Sequence, residues 1–252
     1  MLNIMLCGCG GRMGAALTAA ATAAGDRIVA GVDINPTAAN SYPVYTSAEE
    51  FSGRADVIVD FSHHAALSGL LAYAMRTATP IVICTTGHSD EELAEMKAAS
   101  AHVPVFFSRN MSLGINLLMA LCRKAAATLG ADFDVEIIEK HHNKKLDAPS
   151  GTALMLADCI KEADTSAEHP YVYERQSIRR ARERGEIGIS AVRGGTIVGE
   201  HEVLFCGKDE IITLSHSAAS REVFATGALR AAHFMAGKSA GFYNMDDVVN
   251  TL

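Results

Sequence analysis

The first thirty-three residues constrain this chain most. A short, largely apolar run, Leu2 to Cys7, breaks at Gly8-Cys9-Gly10-Gly11-Arg12-Met13-Gly14 and continues into an alanine-rich segment ending at Gly25; a second run, Ile28 to Val32, ends at Asp33. This reads as strand, glycine turn, helix and strand, a βαβ unit that buries its faces in a parallel sheet. Glycines in such a turn let the backbone approach a pyrophosphate, and the helix N-terminus beyond supplies N–H donors and positive dipole. Met13 stands where the common dinucleotide fingerprint carries its third glycine or alanine. A glycine turn that only packs helix on strand is the alternative. Asp33 lies at about the distance expected of an acid that binds the adenosine ribose, which suits NADH; Arg12 is the nearby cation able to offset its repulsion of a 2′-phosphate, so NADPH stays open.

The alternation continues with strands at Val57 to Phe61, Ile81 to Thr85 and Val103 to Phe107, and helices at His64 to Ala78 and Asp90 to Ala101. The fold class expected is α/β, with an N-terminal Rossmann-like parallel sheet domain. Turns at Asp60-Phe61-Ser62, Thr85-Thr86-Gly87 and Ser108-Arg109-Asn110 then fall at the carboxyl edge, where open α/β sheets bind ligands. His63 and His64 open a helix there, which favours capping over chemistry. Beyond a helix at Leu113 to Leu129 the pattern changes. Strands at Phe133 to Glu139, Ile187 to Val192, Glu202 to Phe205 and Ile211 to Leu214 imply a central mixed-sheet α/β domain. Lys161 to Glu186, with the Arg179 to Arg184 run, reads as a solvated loop and part of an oligomer contact. Ala218 to Ala236 reads as a helix that returns to the first domain.

The net charge of -7 and the absence of a basic tail argue against nucleic acid as a partner. Six scattered cysteines form no C-x-x-C pair and no zinc pattern, so no metal is expected and the thiols fit a reducing cytoplasm. No run reaches the roughly 18 uninterrupted apolar residues of a membrane span, and the chain opens on a strand rather than a signal peptide. The expectation is a cytoplasmic protein with no membrane contact.

Glu139 to Leu154, EKHHNKKLDAPSGTAL, gathers two histidines and two lysines into the five residues His141 to Lys145, ahead of a Pro149-Ser150 helix start. The N–H groups of Gly151 and Thr152 would then be available to a carboxylate. Lys145 and His142 add charge and donors, His141 is a candidate proton donor near neutral pH, and Lys144 is expected to face solvent. A surface His-His pair and a solvated Lys-Lys pair are the plain alternatives. The cluster describes a pocket for a small carboxylate substrate that must receive a proton.

The chain resembles the 4-hydroxy-tetrahydrodipicolinate reductase (dihydrodipicolinate reductase) family along nearly its whole length. The resemblance rests on His-His-x-x-Lys-x-Asp-Ala-Pro-Ser-Gly-Thr-Ala from His141 to Ala153, on Gly8 to Gly14, on the Thr-Thr-Gly turn and on Ser108-x-Asn110-x-Ser112-x-Gly114. It also rests on Arg193-Gly194-Gly195, Val198-Gly199-Glu200-His201 and Gly241-Phe242-Tyr243-x-Met245. It implies a dinucleotide-binding domain of residues 1–111 and 219–252 around a substrate-binding and tetramerisation domain of residues 112–218, in a homotetramer. It implies NADH or NADPH as cofactor, a cyclic imine dicarboxylate as substrate, and His141 and Lys145 as catalytic groups. Substrate contacts fall on His142, Gly151 and Thr152. Cofactor contacts fall on Gly8, Cys9, Gly10, Gly11, Arg12, Met13 and Asp33, on Cys84, Thr85 and Thr86, and on Ser108, Arg109, Asn110 and Met111. Cys84 stands where the family usually has glycine, and Ile34 where some members carry arginine.

Overall fold

Alternate residues of β1 (Asn3–Cys7) enter opposite cores. Ile4 and Leu6 meet Val57, Val59, Val82 and Phe106 on one face of a sheet, and Met5 and Cys7 meet Ile58, Ile81 and Ile83 on the other. Both faces are therefore covered, as a parallel sheet requires. The computed structural model describes residues 1–35 and 40–251. The chain divides into two units, Met1–Leu113 with Glu222–Leu252, and Gly114–Arg221.

In the first unit β1 is followed by α1 (Arg12–Ala23), β2 (Arg27–Val32), β3 (Val44–Tyr45), β4 (Val57–Asp60), α2 (Leu67–Thr77), β5 (Ile81–Ile83), α3 (Asp90–Ala99) and β6 (Pro104–Phe107). Ser89 and Glu92 form a full capping box at the start of α3. The expected helix at His64 opens instead as a 3-10 turn, His64–Ala66, capped by His63 through its side chain.

The second unit holds α4 (Leu113–Leu129, its first residue still in the first unit), β7 (Asp134–His141), α5 (Gly151–Ala163), β8 (Tyr171–Val172), β9 (Ile187–Arg193), β10 (Gly199–Cys206) and β11 (Ile211–Ala218). The chain returns to the first unit through α6 (Glu222–Met235), β12 (Gly241–Tyr243) and α7 (Met245–Val249). The first sheet has the order β12-β6-β5-β4-β1-β2-β3 with every neighbour parallel. The second has the order β11-β10-β7-β9-β8, antiparallel about β10 and parallel about β9, so it is mixed.

α6 is apolar where it meets the first sheet: Ala225, Ala228, Ala231, Ala232 and Met235 share a core with Leu17 of α1. The expected start of this helix at Ala218 is corrected to Glu222, because Ser215 to Ala218 stay in β11, paired with Gly199 to Glu202. The run Leu113–Asp132 is long and apolar enough, by length and composition, to cross a membrane. In the second unit it is a core helix: Ile115, Leu118, Met119, Cys122 and Ala126 pack with Val135, Ile137, Val203 and Phe205 of the sheet.

The segment expected to be a solvated loop is partly structural. His169 is buried between carbonyls of Asp164 and Gly185, at 2.9 Å from each. Arg175 and Arg180 converge on Glu186, and Arg175 and Arg182 on Glu136. Bonds from Arg175 and Arg180 hold the Glu186 carboxyl down to about 2. The run of like charges is thus neutralised locally rather than by water alone.

Candidate functional site

The glycine turn after β1 is dictated by space. Gly8 has φ +75°, and a Cβ there would lie 2.5 Å from the Phe61 carbonyl oxygen; one on Gly14 would lie 2.5 Å from the Gly8 carbonyl oxygen. Gly11 is the N-cap of α1 and brings no side-chain cap. The first N–H groups of that helix therefore lack intrahelical partners just where an anion would sit. Asp33, at the end of β2, accepts the Gly10 N–H at 2.9 Å and the Asn35 N–H at 3.0 Å. Gly8, Gly10, Gly11, Asp33, Phe61 and His63 are among the residues lining a cleft of about 510 Å³. A side-chain-free cradle, an uncapped helix start and a strand-end carboxylate fit a dinucleotide.

The other expected cofactor residues stand at the same edge of the sheet but outside the lining of this cleft. Arg12 is exposed and Met13 half-buried. Cys9 is buried against Gly31 and Asn40, so it offers backbone only. Cys7 faces the opposite core, and both thiols are free. Cys84 and Thr85 are buried and Thr86 is exposed. Thr85 Oγ1 donates to Asp60 Oδ2 at 2.7 Å. Burial pushes the Asp60 carboxyl up against the bonds it receives from Ser62 and Thr85. Ser108 Oγ donates to the Asn110 carbonyl, Asn110 Oδ1 accepts the Ser112 N–H, Met111 is buried and Arg109 is exposed.

In the second unit, Val135, Ile137, Glu139 and His141 are the buried half of β7. Period two thus carries a carboxylate and an imidazole into the face that Val135 and Ile137 fill with hydrocarbon. Glu139 is fully buried, which demands full pairing. Its Oε2 accepts from His141 Nδ1 at 2.6 Å and its Oε1 accepts the Ser150 N–H at 3.0 Å. The Arg193 guanidinium closes both oxygens, at 2.7 Å and 2.6 Å. Burial would raise the Glu139 carboxyl, but Arg193, His141 and Ser150 together hold it below the usual carboxylate range.

His201 of β10 meets His141 edge to face, ring centroids 5.2 Å apart, and its Nε2 lies 3.2 Å from Ser150 Oγ. Burial, with His141 beside it, pushes His201 down to about 4, so it is neutral at pH 7. Ser150 caps α5 through the Ala153 N–H. Gly151 opens that helix exposed, with open space around the position a Cβ would take, and Thr152 follows half-buried. Lys145 Nζ lies 2.8 Å from Asp147 Oδ1, Lys144 is exposed, and His142 is half-buried with no partner for its Nδ1 among the described residues.

The second unit therefore brings His141, His142, Lys145, Gly151 and Thr152 into one segment around the start of α5. Sequence reasoning assigned no role to Glu139, Arg193 or His201. The alternation Val135, Ile137, Glu139, His141 was the signal that could have shown Glu139 inside. An oriented imidazole, a lysine and a helix N-terminus can hold an anion and deliver a proton.

Two family models match the chain: "Dihydrodipicolinate reductase, N-terminus" over residues 2–111 and "Dihydrodipicolinate reductase, C-terminus" over residues 114–249. The 4-hydroxy-tetrahydrodipicolinate reductase of Caldanaerobacter subterraneus subsp. tengcongensis is 50% identical over 250 residues, 99% of this chain and 98% of that protein. That of Clostridium botulinum is 50% identical over 251 residues, with the same coverage. Among solved structures, the dipicolinate-bound dihydrodipicolinate reductase of Paenisporosarcina sp. TG-14 superposes with a TM-score of 0.83 at 27% identity, covering 100% of both chains.

Proposed function

The chain belongs to the dihydrodipicolinate reductase family, and on that premise we propose that it reduces 4-hydroxy-tetrahydrodipicolinate, or its dehydrated form, to tetrahydrodipicolinate in lysine and diaminopimelate biosynthesis. It is an NAD(P)H-dependent oxidoreductase. The observation that carries the reading is the match of both family models to a chain whose second unit holds His141, Lys145 and the α5 N-terminus in one segment.

When bound, the reduced nicotinamide supplies a hydride. Every other task falls to side chains. The α5 start at Gly151 and Thr152, with Lys145 and His142, holds the substrate carboxylates through charge-assisted hydrogen bonds. His141 gives its Nε2 proton to the electron-rich product and is left as a neutral imidazole with its remaining proton on Nδ1, against Glu139. Gly8 to Met13 cradle the cofactor's pyrophosphate, and Asp33 binds its adenosine ribose; the Cys84 to Thr86 and Ser108 to Met111 turns complete the cofactor contacts. The charge of Asp33 favours NADH over NADPH.

The family resemblance and the second sheet support a homotetramer. On the sheet face away from α4 and α5, Val192 is 45% and Ile211 63% exposed, an apolar surface suited to burial between subunits. Six free thiols, five of them buried, agree with a cytoplasmic enzyme.

The test is loss of absorbance at the nicotinamide band, with NADH and NADPH in parallel and substrate generated enzymatically in the cuvette. Oxidation that disappears in His141→Ala supports the reading and ranks the cofactors. Bound cofactor without oxidation moves the weight to another substrate or to a nucleotide sensor.

A further inference from the structure

His141 is confined on three sides. Glu139 Oε2 holds Nδ1 at 2.6 Å, His201 stands edge-on with ring centroids 5.2 Å apart, and a Cβ on Gly199 would come within 3.1 Å of Nε2. The charged and titratable groups around the ring are Glu139 on its own strand, Arg193 on β9, His201 on β10, and Lys145 and Asp147 in the loop before α5. His216 of β11 lies beyond His201, paired with it in register. Ser150, at the α5 cap, joins Glu139 to His201 through its N–H and hydroxyl.

We propose that Glu139 and Arg193 are a positioning pair for His141: Glu139 fixes the imidazole tautomer that carries its proton on Nδ1 and frees Nε2 for the substrate, and Arg193 tempers the charge of Glu139 so that the Nε2 proton can leave. The proposal rests on the reductase reading for its rate predictions, but not for its tautomer prediction.

The hydrogen-bond inventory gives the sign. Oε2 faces two donors, His141 Nδ1 and one Arg193 nitrogen; Oε1 faces two more, the Ser150 N–H and the other Arg193 nitrogen. A glutamine offers one acceptor and one donor group in the same place. Its NH2 cannot face the Ser150 N–H, which is fixed as a donor, so the amide oxygen stays there and the NH2 turns to His141. Nδ1 is the one partner that can become an acceptor. Glu139→Gln therefore moves the imidazole proton to Nε2 while keeping the size of the side chain.

Rates should follow. An imidazole held in the wrong tautomer loses general acid–base catalysis worth about 10² to 10⁴-fold. Since Glu139 does not touch substrate in this reading, KM should change little while kcat collapses. The two partners also act in opposite directions on the alkaline limb of the kcat/KM profile, where a proton donor is lost. Removing the Glu139 charge lets the Nε2 proton leave sooner, moving the limb to lower pH. Arg193→Gln leaves Glu139 less neutralised and moves it to higher pH.

The experiment is nitrogen-15 NMR of the full-length, histidine-labelled chain, with His141 assigned by His141→Gln. A neutral His141 protonated on Nδ1 in the unmodified protein and on Nε2 in Glu139→Gln is expected; a neutral His141 carrying its single proton on Nε2 in the unmodified protein overturns the proposal without any variant. Should Glu139→Gln not melt cooperatively, the unmodified tautomer and the Arg193→Gln profile decide. Limbs that fail to move in opposite directions also overturn it. An unmodified protein that oxidises no cofactor sinks the reductase reading instead, and leaves the tautomer result standing on its own.

Discussion

His233 Nε2 lies 2.6 Å from Asp26 Oδ2, so a residue of α6 is bonded to the short link between α1 and β2. The other Asp26 oxygen accepts the Leu2 N–H at 2.7 Å, and the carboxylate is 1% exposed. Burial would raise the Asp26 carboxyl; the bonds from Leu2 and His233 outweigh it and hold it below the usual aspartate range. A depressed folded value means stability that is complete above the unfolded aspartate value of about 3.9 and is lost as pH falls through the folded one. Asp26→Asn should therefore cost about 2 kcal/mol at pH 7, and the gap between it and the unmodified protein in urea melts should close below about pH 4. A gap that is constant from pH 7 to pH 2 would show that the carboxylate charge contributes nothing.

Gly227 shows how α6 bears on the cofactor edge without reaching it. A Cβ there would overlap the Met111 carbonyl oxygen, in the turn that follows β6. Gly227→Ala should destabilise the protein by about 3 kcal/mol and weaken NADH binding, measured by calorimetry. Gly69 of α2 is the control, since nothing lies within 4 Å of its Cβ position. Gly69→Ala should stabilise by about 0.5 to 1 kcal/mol with cofactor affinity unchanged. Equal effects of the two changes would mean that helix propensity, not the close approach at Met111, decides.

The first sheet was legible because each of its central strands is buried on both faces and stands between a turn signal and a helix. Leu113–Leu129 was legible at both ends. The short strands at the sheet edges, Val44–Tyr45, Tyr171–Val172 and Gly241–Tyr243, were not, because two or three residues outside the fully buried centre show neither periodicity nor an apolar run and are fixed by their neighbours in the ladder. The cluster before α5 was legible as a local run of His, Lys, Pro, Ser and Gly. Its buried support was not: Glu139 reads as a polar strand residue, and Arg193 and His201 arrive from strands 52 or more residues away in the chain. Only pairing β7 with β9 and β10 brings them in.

Asp33 should decide between the two nicotinamide cofactors. Its charge opposes a 2′-phosphate, a repulsion worth about 1 to 4 kcal/mol between unit charges some 4 Å apart. Asn in its place keeps an acceptor for the Gly10 N–H, so the turn survives. Asp33→Asn should raise the ratio of kcat/KM for NADPH over NADH by about tenfold, with Tm nearly unchanged. An unaltered ratio would place the selectivity elsewhere, with Arg12 the next residue to change.

Lys145 is engaged by Asp147 at 2.8 Å, and that bond is the main reason the Asp147 carboxyl lies below its usual range. Asp147 is 57% exposed, so the pair adds little to stability. In the proposed reaction a substrate carboxylate must take the place of Asp147 on Lys145. Removing the competitor by Asp147→Asn should lower KM for the substrate by about 1.4- to fivefold, the span of an exposed ion pair worth about 0.2 to 1 kcal/mol. The Arg193 bond to Asp147 uses the backbone carbonyl and should persist, so kcat should hold. Lys145→Ala, by contrast, should lower kcat/KM whether or not Asp147 is present. A rise in KM on Asp147→Asn would reverse the assignment: Asp147 would then be holding Lys145 in place for the substrate rather than competing for it.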